Sequence, residues 1–192
     1  MHHSHVNKEK EHLLVEQTLS GDQYAFEHLV NEYKDYVFQL ILGILKNTED
    51  AEEVTMDTFV KAFEKLNSFQ FDAKSSTWIY TIAYRHALMF LRKKRMLLSD
   101  LKDGSAFSYE QSMDPLIHED QEKMIEWALD RLGEEDRVLI TLYYLEELSL
   151  KEIEEITNIK AATAKVRIHR SRKKIAEILN TQYSELELKN VY

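Results

Sequence analysis

Lys165, Arg167, His169, Arg170, Arg172, Lys173 and Lys174 crowd into one short stretch of chain, and no Asp or Glu falls between Ile156 and Ala176. Side chains of these types hold polyanions: ammonium and guanidinium groups pair with phosphates, and an Arg fork also matches the acceptor edge of guanine. The surroundings make the contrast stronger, because the chain carries 34 acidic against 25 basic residues, a formal net charge of -9. A second acid-free stretch, Ala73 to Ser99, contains Lys74, Arg85, Arg92, Lys93, Lys94 and Arg95. The two stretches together hold 13 of the 25 Lys and Arg residues. Two positive footprints on an acidic chain point to two separate contacts with a polyanion, while the acidic total argues against indiscriminate coating of nucleic acid.

The elements that position the first footprint lie in Leu148–Leu179. Ser149 and Glu152 have the S-x-x-E spacing of a capping box, which predicts a helix from Leu150 with Ile153 and Ile156 as its apolar stripe. Asn158 suits the turn, since Asn tolerates the left-handed conformation that ends a helix. A second helix is expected from about Ala161, with Ala164, Ile168, Ile175 and Leu179 on one side at near-helical spacing. This is the pattern of a helix-turn-helix whose second helix enters a DNA major groove. An amphipathic helix with a solvated basic face would share the periodicity.

The second footprint falls on a long predicted helix, Thr77–Arg95. One side is apolar (Ile79, Ile82, Ala83, Phe90), and elsewhere Trp78, Tyr80 and Tyr84 interleave with Arg85, Arg92 and Lys93. Aromatic faces stack on unpaired bases while cations hold the phosphates, as on a single-strand binding surface. Trp and Tyr are also ordinary core residues, and basic residues at a helix C-terminus complement its dipole. Composition alone leaves the two readings level.

Earlier in the chain, Asp22 is an N-cap candidate for a helix with Phe26, Leu29, Val30, Tyr33, Val37, Leu40, Ile41 and Ile44 as its apolar face. Asn47 or Thr48 should cap the next helix, whose first turns hold Glu49, Asp50, Glu52 and Glu53. The stripe Ala51, Val54, Phe59, Ala62, Phe63 and Leu66 is wider than a minimal seam, so it is either deeply buried or partly offered to a partner. Asn67–Ser76 breaks the pattern around Phe69 and Phe71. Ser99–Pro115 collects Ser, Asp, Gly and the only Pro, the composition of a linker. Helices resume near His118, with Gly133 as a stop and a further helix over Glu134–Leu145. The last thirteen residues could extend the final helix or fray.

Several classes are disfavoured. Without Cys there is no disulfide framework and no thiolate metal site. No apolar run approaches the ~18–20 residues of a membrane span, and MHHSHVNKEKEH lacks a signal-peptide core, so a cytoplasmic protein with no membrane insertion is expected. His2, His3 and His5 read as a solvated tail or tag. Glu9 and His12 have E-x-x-H spacing only once, whereas a di-metal bundle needs the motif twice with further inward acids. No H-E-x-x-H, G-x-x-x-x-G-K or nucleophile motif occurs. No catalytic residue, metal site or cofactor is expected.

In this order the pieces resemble an extracytoplasmic-function (ECF) sigma factor of bacterial RNA polymerase, of the sigma-70 family. TEDAEEVTMDTFVKAFEKL (Thr48–Leu66) looks like that family's core-polymerase-binding helix. FDAKSSTWIYTIAYRHALMFLRKKR (Phe71–Arg95) looks like its promoter-melting and minus-ten-reading segment. LGEEDRVLITLYYLEELSLKEIEEI, leading into TAKVRIHRSRKKI, resembles its fourth conserved region, which reads the minus-thirty-five element. The resemblance implies an all-α fold in two small domains, with residues 22–97 as region 2 and 118–182 as region 4. A tail (1–21), a linker (98–117) and a second tail (183–192) complete the chain.

By resemblance, Asp50, Glu53, Asp57 and Phe59 would dock on the clamp helices of core RNA polymerase. Phe71, Lys74, Ser76, Trp78, Tyr84, Arg85, Arg92 and Lys93 would hold the minus-ten strand, with the loop Phe69–Ser76 cupping a flipped base. Thr163, Lys165, Arg167, His169, Arg170 and Lys173 would meet the minus-thirty-five duplex. The implied partners are bacterial core RNA polymerase, promoter DNA and, as for many members of the family, an anti-sigma factor. The sequence departs from the family at Met56 (usually Gln), Arg85 (often Asn), Met89 (often Asp), Glu154 (usually small), Asn158 (usually Gly) and Val166 (often Ser). None of these departures breaks the expected fold, since Asn158 still suits the turn and Glu154 could point outward. Arg85 and Val166 fall on the surfaces expected to face DNA, so the promoter sequence does not carry over. A stand-alone helix-turn-helix regulator would account for the second basic helix but not for the first.

Overall fold

The computed structural model describes residues 8–71, 74–100 and 121–189. Among them every regular element is helical. Two compact units divide the chain: Met1–Lys94 with Glu155–Asn158, and Arg95–Glu154 with Ile159–Tyr192.

The first unit begins with α1 (Lys8–Leu19) and α2 (Gln23–Leu45). The sequence led to a tail here, yet Val15 is fully buried and α1 packs along α2. Glu11 is buried too, accepting a hydrogen bond from the Tyr33 hydroxyl across 22 residues of sequence. Burial first, and that carboxylate next, push the Tyr33 phenol above its ordinary pKa. A mostly polar segment thus joins the core through Val15, the satisfied acid Glu11 and Thr18, whose hydroxyl donates to the Leu14 carbonyl, a pattern that periodicity does not reveal. The turn to α2 uses Gly21 at φ 100, a conformation that strains any residue with a Cβ. Asp22 caps α2 by accepting from the Tyr24 N–H at 2.9 Å.

At the far end of α2, Lys46 takes the left-handed C-cap conformation (φ 53) and its N–H closes on the Leu42 carbonyl. Asn47 then caps α3 (Thr48–Lys65) by accepting from the Asp50 N–H at 2.8 Å. Ala51, Val54, Phe59 and Ala62 are buried on one side of α3, which packs on α2, where Leu29, Val37, Leu40, Ile41 and Ile44 are buried. The 3-10 turn Leu66–Ser68 leads to the loop before α4 (Ser75–Asp100). Ile79, Tyr80, Ala83, Tyr84, Ala87 and Leu91 form the buried face of α4. Helix α4 continues past the expected end at Arg95, so the first linker residues are helical. The rest of the expected linker, 101–117, lies outside the described residues, as does the helix start near His118.

The second unit contains α5 (Gln121–Asp130), α6 (Glu134–Ile140), α8 (Ala161–Lys189) and α7 (Leu150–Thr157) as far as Glu154. Gly133 does not stop a helix in the left-handed region. It is extended (φ -66, ψ 153) and serves as the N-cap residue of α6, whose first turn carries Glu134, Glu135 and Asp136. Instead of continuing as α-helix to Leu145, the chain widens into one π turn, Thr141–Leu145, closed by the Glu146 N–H on the Thr141 carbonyl. Arg137 is buried and paired with Glu126 and Asp130, which ties α6 to α5. Removing both acids would leave the buried Arg137 charge without a partner, which costs ~3–5 kcal/mol.

The capping box forms as the spacing predicts: Ser149 N–H donates to Glu152 and the Glu152 N–H donates to Ser149 Oγ. Asn158 adopts φ 60 in the turn. Glu154, however, does not point outward. Its carboxylate accepts the Ala161 N–H at 2.9 Å, so it caps the first free donor of α8 from outside that helix. Helix α8 extends through Lys189, taking in most of the expected C-terminal tail.

Candidate nucleic-acid and polymerase interfaces

Helix α3 has two faces. Away from its buried side, Glu52, Glu53, Met56, Asp57 and Val60 are exposed at helical spacing, and so is Phe63, whose ring also meets Phe26 of α2 edge-on at 5.0 Å. Of the residues expected to dock on polymerase, Glu53 and Asp57 lie on this face. Asp50 is half-buried, its carboxylate paired with Lys94 of α4. Phe59 is only 7% exposed and belongs to the core, so direct docking through its ring is ruled out in this conformation. The apolar residues on the outer face are instead Met56, Val60 and Phe63, at 71%, 57% and 52% exposure. Their i, i+4, i+7 spacing was the available signal, visible as a second stripe beside the core stripe.

Around the loop after α3, aromatic rings form a ladder. Phe69 lies 4.8 Å from Phe71 and 5.0 Å from Trp78, centroid to centroid. Phe71 stands at φ 59, a strained value for an aromatic residue, and its other side meets the His12 ring at 4.0 Å. His12 therefore belongs to this ladder and not to a polar tail; nothing in its local sequence announces that. Lys74 is exposed, and Ser76 and Trp78 are partly so. Along α4, Arg85, Arg92 and Lys93 are exposed, whereas Tyr84 is turned into the core. Tyr80 is buried as well, edge-on to Tyr33. The expected aromatic contribution to a strand surface thus narrows to Phe71 and Trp78, because burying a Tyr ring among apolar neighbours is favourable in its own right.

On α8, Ala164, Ile168 and Ser171 are buried. Thr163, Lys165, His169, Arg170 and Lys173 are exposed, and so is Val166. Arg167 departs from the set. Its guanidinium meets Asp136 Oδ1 through Nε and Nη2, both at 2.6 Å, and Glu135 Oε2 through Nη1 at 2.5 Å. The Glu135 hydrogen bond, followed by Asp136, raises the Arg167 pKa above its ordinary value, so the guanidinium stays charged. In this conformation two carboxylates hold the Arg167 side chain, and neither acid could be matched to it from sequence separation alone.

A helix-turn-helix with a cationic outer face, preceded by a helical unit whose long basic helix adjoins an aromatic loop, defines a promoter-binding factor of the sigma-70 type. Residues 29–96 match the family described as Sigma-70 region 2, and residues 123–181 match Sigma-70, region 4. The chain is 33% identical over 176 residues to the ECF RNA polymerase sigma factor SigW of Bacillus subtilis, covering 86% of this chain and 94% of that one. It is 31% identical over 174 residues to the ECF RNA polymerase sigma-E factor of Escherichia coli K12, covering 85% and 91%. The protein belongs to the ECF sigma factors, which bind RNA polymerase and direct initiation at specific promoters. Its fold is shared with CnrH, solved in complex with the cytosolic domain of CnrY (TM-score 0.65, 22% identity, 90% of this chain and 98% of that one). The same holds for the Bartonella quintana sigma factor RpoE, solved with the anti-sigma factor NepR (TM-score 0.63, 20% identity, 81% and 96%). Among the described residues no helix is long and apolar enough to cross a membrane.

Proposed function

We propose that the outer face of α3 docks on core RNA polymerase, that α4 and the aromatic loop hold an opened promoter strand, and that the outer face of α8 reads the upstream duplex element. The observation that carries this reading is the one-sided exposure of α8. Thr163, Lys165, His169, Arg170 and Lys173 all face away from the buried stripe, in a helix capped and seated by its neighbours. In this reading Glu53, Asp57, Met56, Val60 and Phe63 form the polymerase patch, an apolar centre with an acidic rim. Phe71, Trp78, Lys74, Ser76, Arg85, Arg92 and Lys93 form the strand surface. Flipping a base costs a few kcal/mol, and stacking returns ~1–3 kcal/mol per base, so melting needs both the polymerase scaffold and the ladder.

The proposed protein has no catalytic chemistry of its own and needs no cofactor; it acts where polymerase acts, in the cytoplasm. An anti-sigma factor is a further proposed partner, since the Bartonella quintana protein of like fold is described in complex with one. The test is capture of purified core RNA polymerase by the wild-type protein and by Val60→Asp and Phe63→Asp variants. Wild type should retain core, and both variants should lose it while keeping their helical circular dichroism. Equal capture by all three would overturn the assignment of this face.

A further inference from the structure

The outward face of α8 and the side chain of Arg167 do not coincide, although sequence alone groups them. At about 100° per residue, Arg167 lies roughly 60° from the buried Ala164. Val166 and Lys173 lie roughly opposite the buried stripe, with His169 and Arg170 flanking them. Arg167 thus stands on the shoulder of α8 beside its core stripe, where it spans to Glu135 and Asp136 in the first turn of α6. Two acids there already complement the N-terminal dipole of α6, and Arg167 joins both. A second tie holds the start of α8, where Glu154 accepts the Ala161 N–H.

Resting on the function proposed above, we propose that Arg167 is a positioning residue: with Glu135 and Asp136 it fixes the rotation of α8, so that Thr163, Lys165, His169 and Arg170 present to the duplex, and it reads no base itself. The buried stripe Ala164, Ile168 and Ser171 seats α8 on its neighbours α5 and α6. Three charged contacts on its shoulder add a directional tie that resists rolling about the helix axis. Rotation decides which side chains reach base edges, so a loosened helix should weaken every base contact together. Loss of a reading Arg would instead erase discrimination at one base pair.

The experiment uses holoenzyme assembled from the full-length chain and core RNA polymerase, on a promoter library in which each base pair of the upstream element is replaced in turn. Arg167→Ala should lower initiation on all upstream-dependent promoters by about two- to fivefold, the size expected of a partly exposed ion pair, with the order of base preferences unchanged. Glu135→Gln with Asp136→Asn should reproduce that profile, the triple variant should be no worse, and Arg167→Asp with Asp136→Arg should recover part of the loss. A flattened preference at one base pair in Arg167→Ala, with the acid variants unaffected, would overturn the proposal. If Arg167→Ala does not fold, Arg167→Lys replaces it; it should keep the preference order, and a flattened position would again count against the strut. Should wild-type holoenzyme ignore the upstream element, the proposed function fails separately. The strut is then judged by thermal unfolding, where strictly additive Tm shifts for Arg167→Ala and Asp136→Asn would overturn it.

Discussion

Helices α4 and α8 carry the two acid-free, cation-rich stretches of the chain, and the structure treats their expected binding residues differently. On α4 the aromatic residues divide: Tyr80 and Tyr84 are buried, while Trp78 stays partly exposed in a ladder with Phe69 and Phe71. Its cations Arg85, Arg92 and Lys93 remain at the surface. On α8 nearly all the expected residues face out, and the exception is a cation, Arg167, held by two acids of α6. An aromatic ring gains from burial whether or not it has a binding role, so interleaved aromatics are weak evidence of a surface. A cation stays out unless a carboxylate meets it, so a basic face is stronger evidence, and it fails only where tertiary contact supplies the acid.

This contrast can be broken or sharpened by substitution. The largest effect is expected at Tyr84. If it is core, Tyr84→Ala should lower unfolding free energy by ~3–5 kcal/mol in a denaturant melt, as large-to-small core changes do. A stable Tyr84→Ala protein with defective promoter opening would return this ring to the strand surface. Next comes Arg170→Ala, which should cost ~1–3 kcal/mol of discrimination at one upstream base pair while core polymerase binding is unchanged. A similar loss of core binding would remove Arg170 from the duplex face. Glu154→Ala should follow, at ~1 kcal/mol of stability, the usual worth of a cap. An unchanged melt would mean that the Ala161 N–H is satisfied equally well by water. The smallest effect belongs to Lys173→Ala, which should leave base preference intact and reduce the log–log salt slope of holoenzyme binding by about 1.

Much of the fold was legible because its devices are local. Asp22, Asn47, the Ser149–Glu152 box and Asn158 act within a few residues of themselves, and each does what its spacing implies. The buried stripes of α2, α3 and α8 follow period in part: Leu29, Val37, Val54, Ala62, Ala164 and Ile168 are buried as expected, while Phe63 is exposed and Ile175 and Leu179 are only partly buried. What escaped was non-local. Helix α1 enters the core through Val15 and the Glu11–Tyr33 bond, which no amphipathic pattern advertises. The His12–Phe71 contact, the Glu154 cap and the Arg167 clamp each join residues that sequence reading treats separately. Phe59 shows the same limit within one helix. It and Val60 are adjacent apolar residues, and only packing against α2 decides that Phe59 is core and Val60 is surface.

The central claim is that this chain gives core RNA polymerase a promoter preference that neither has alone. Run-off transcription of genomic fragments by purified core polymerase, with and without the protein, tests it directly. The account predicts new start sites only when both are present, and these should share an upstream element and a downstream melted element at fixed spacing. Tight, sequence-specific duplex binding by the protein alone at physiological salt, with no new start sites, would contradict it and leave a stand-alone regulator in its place.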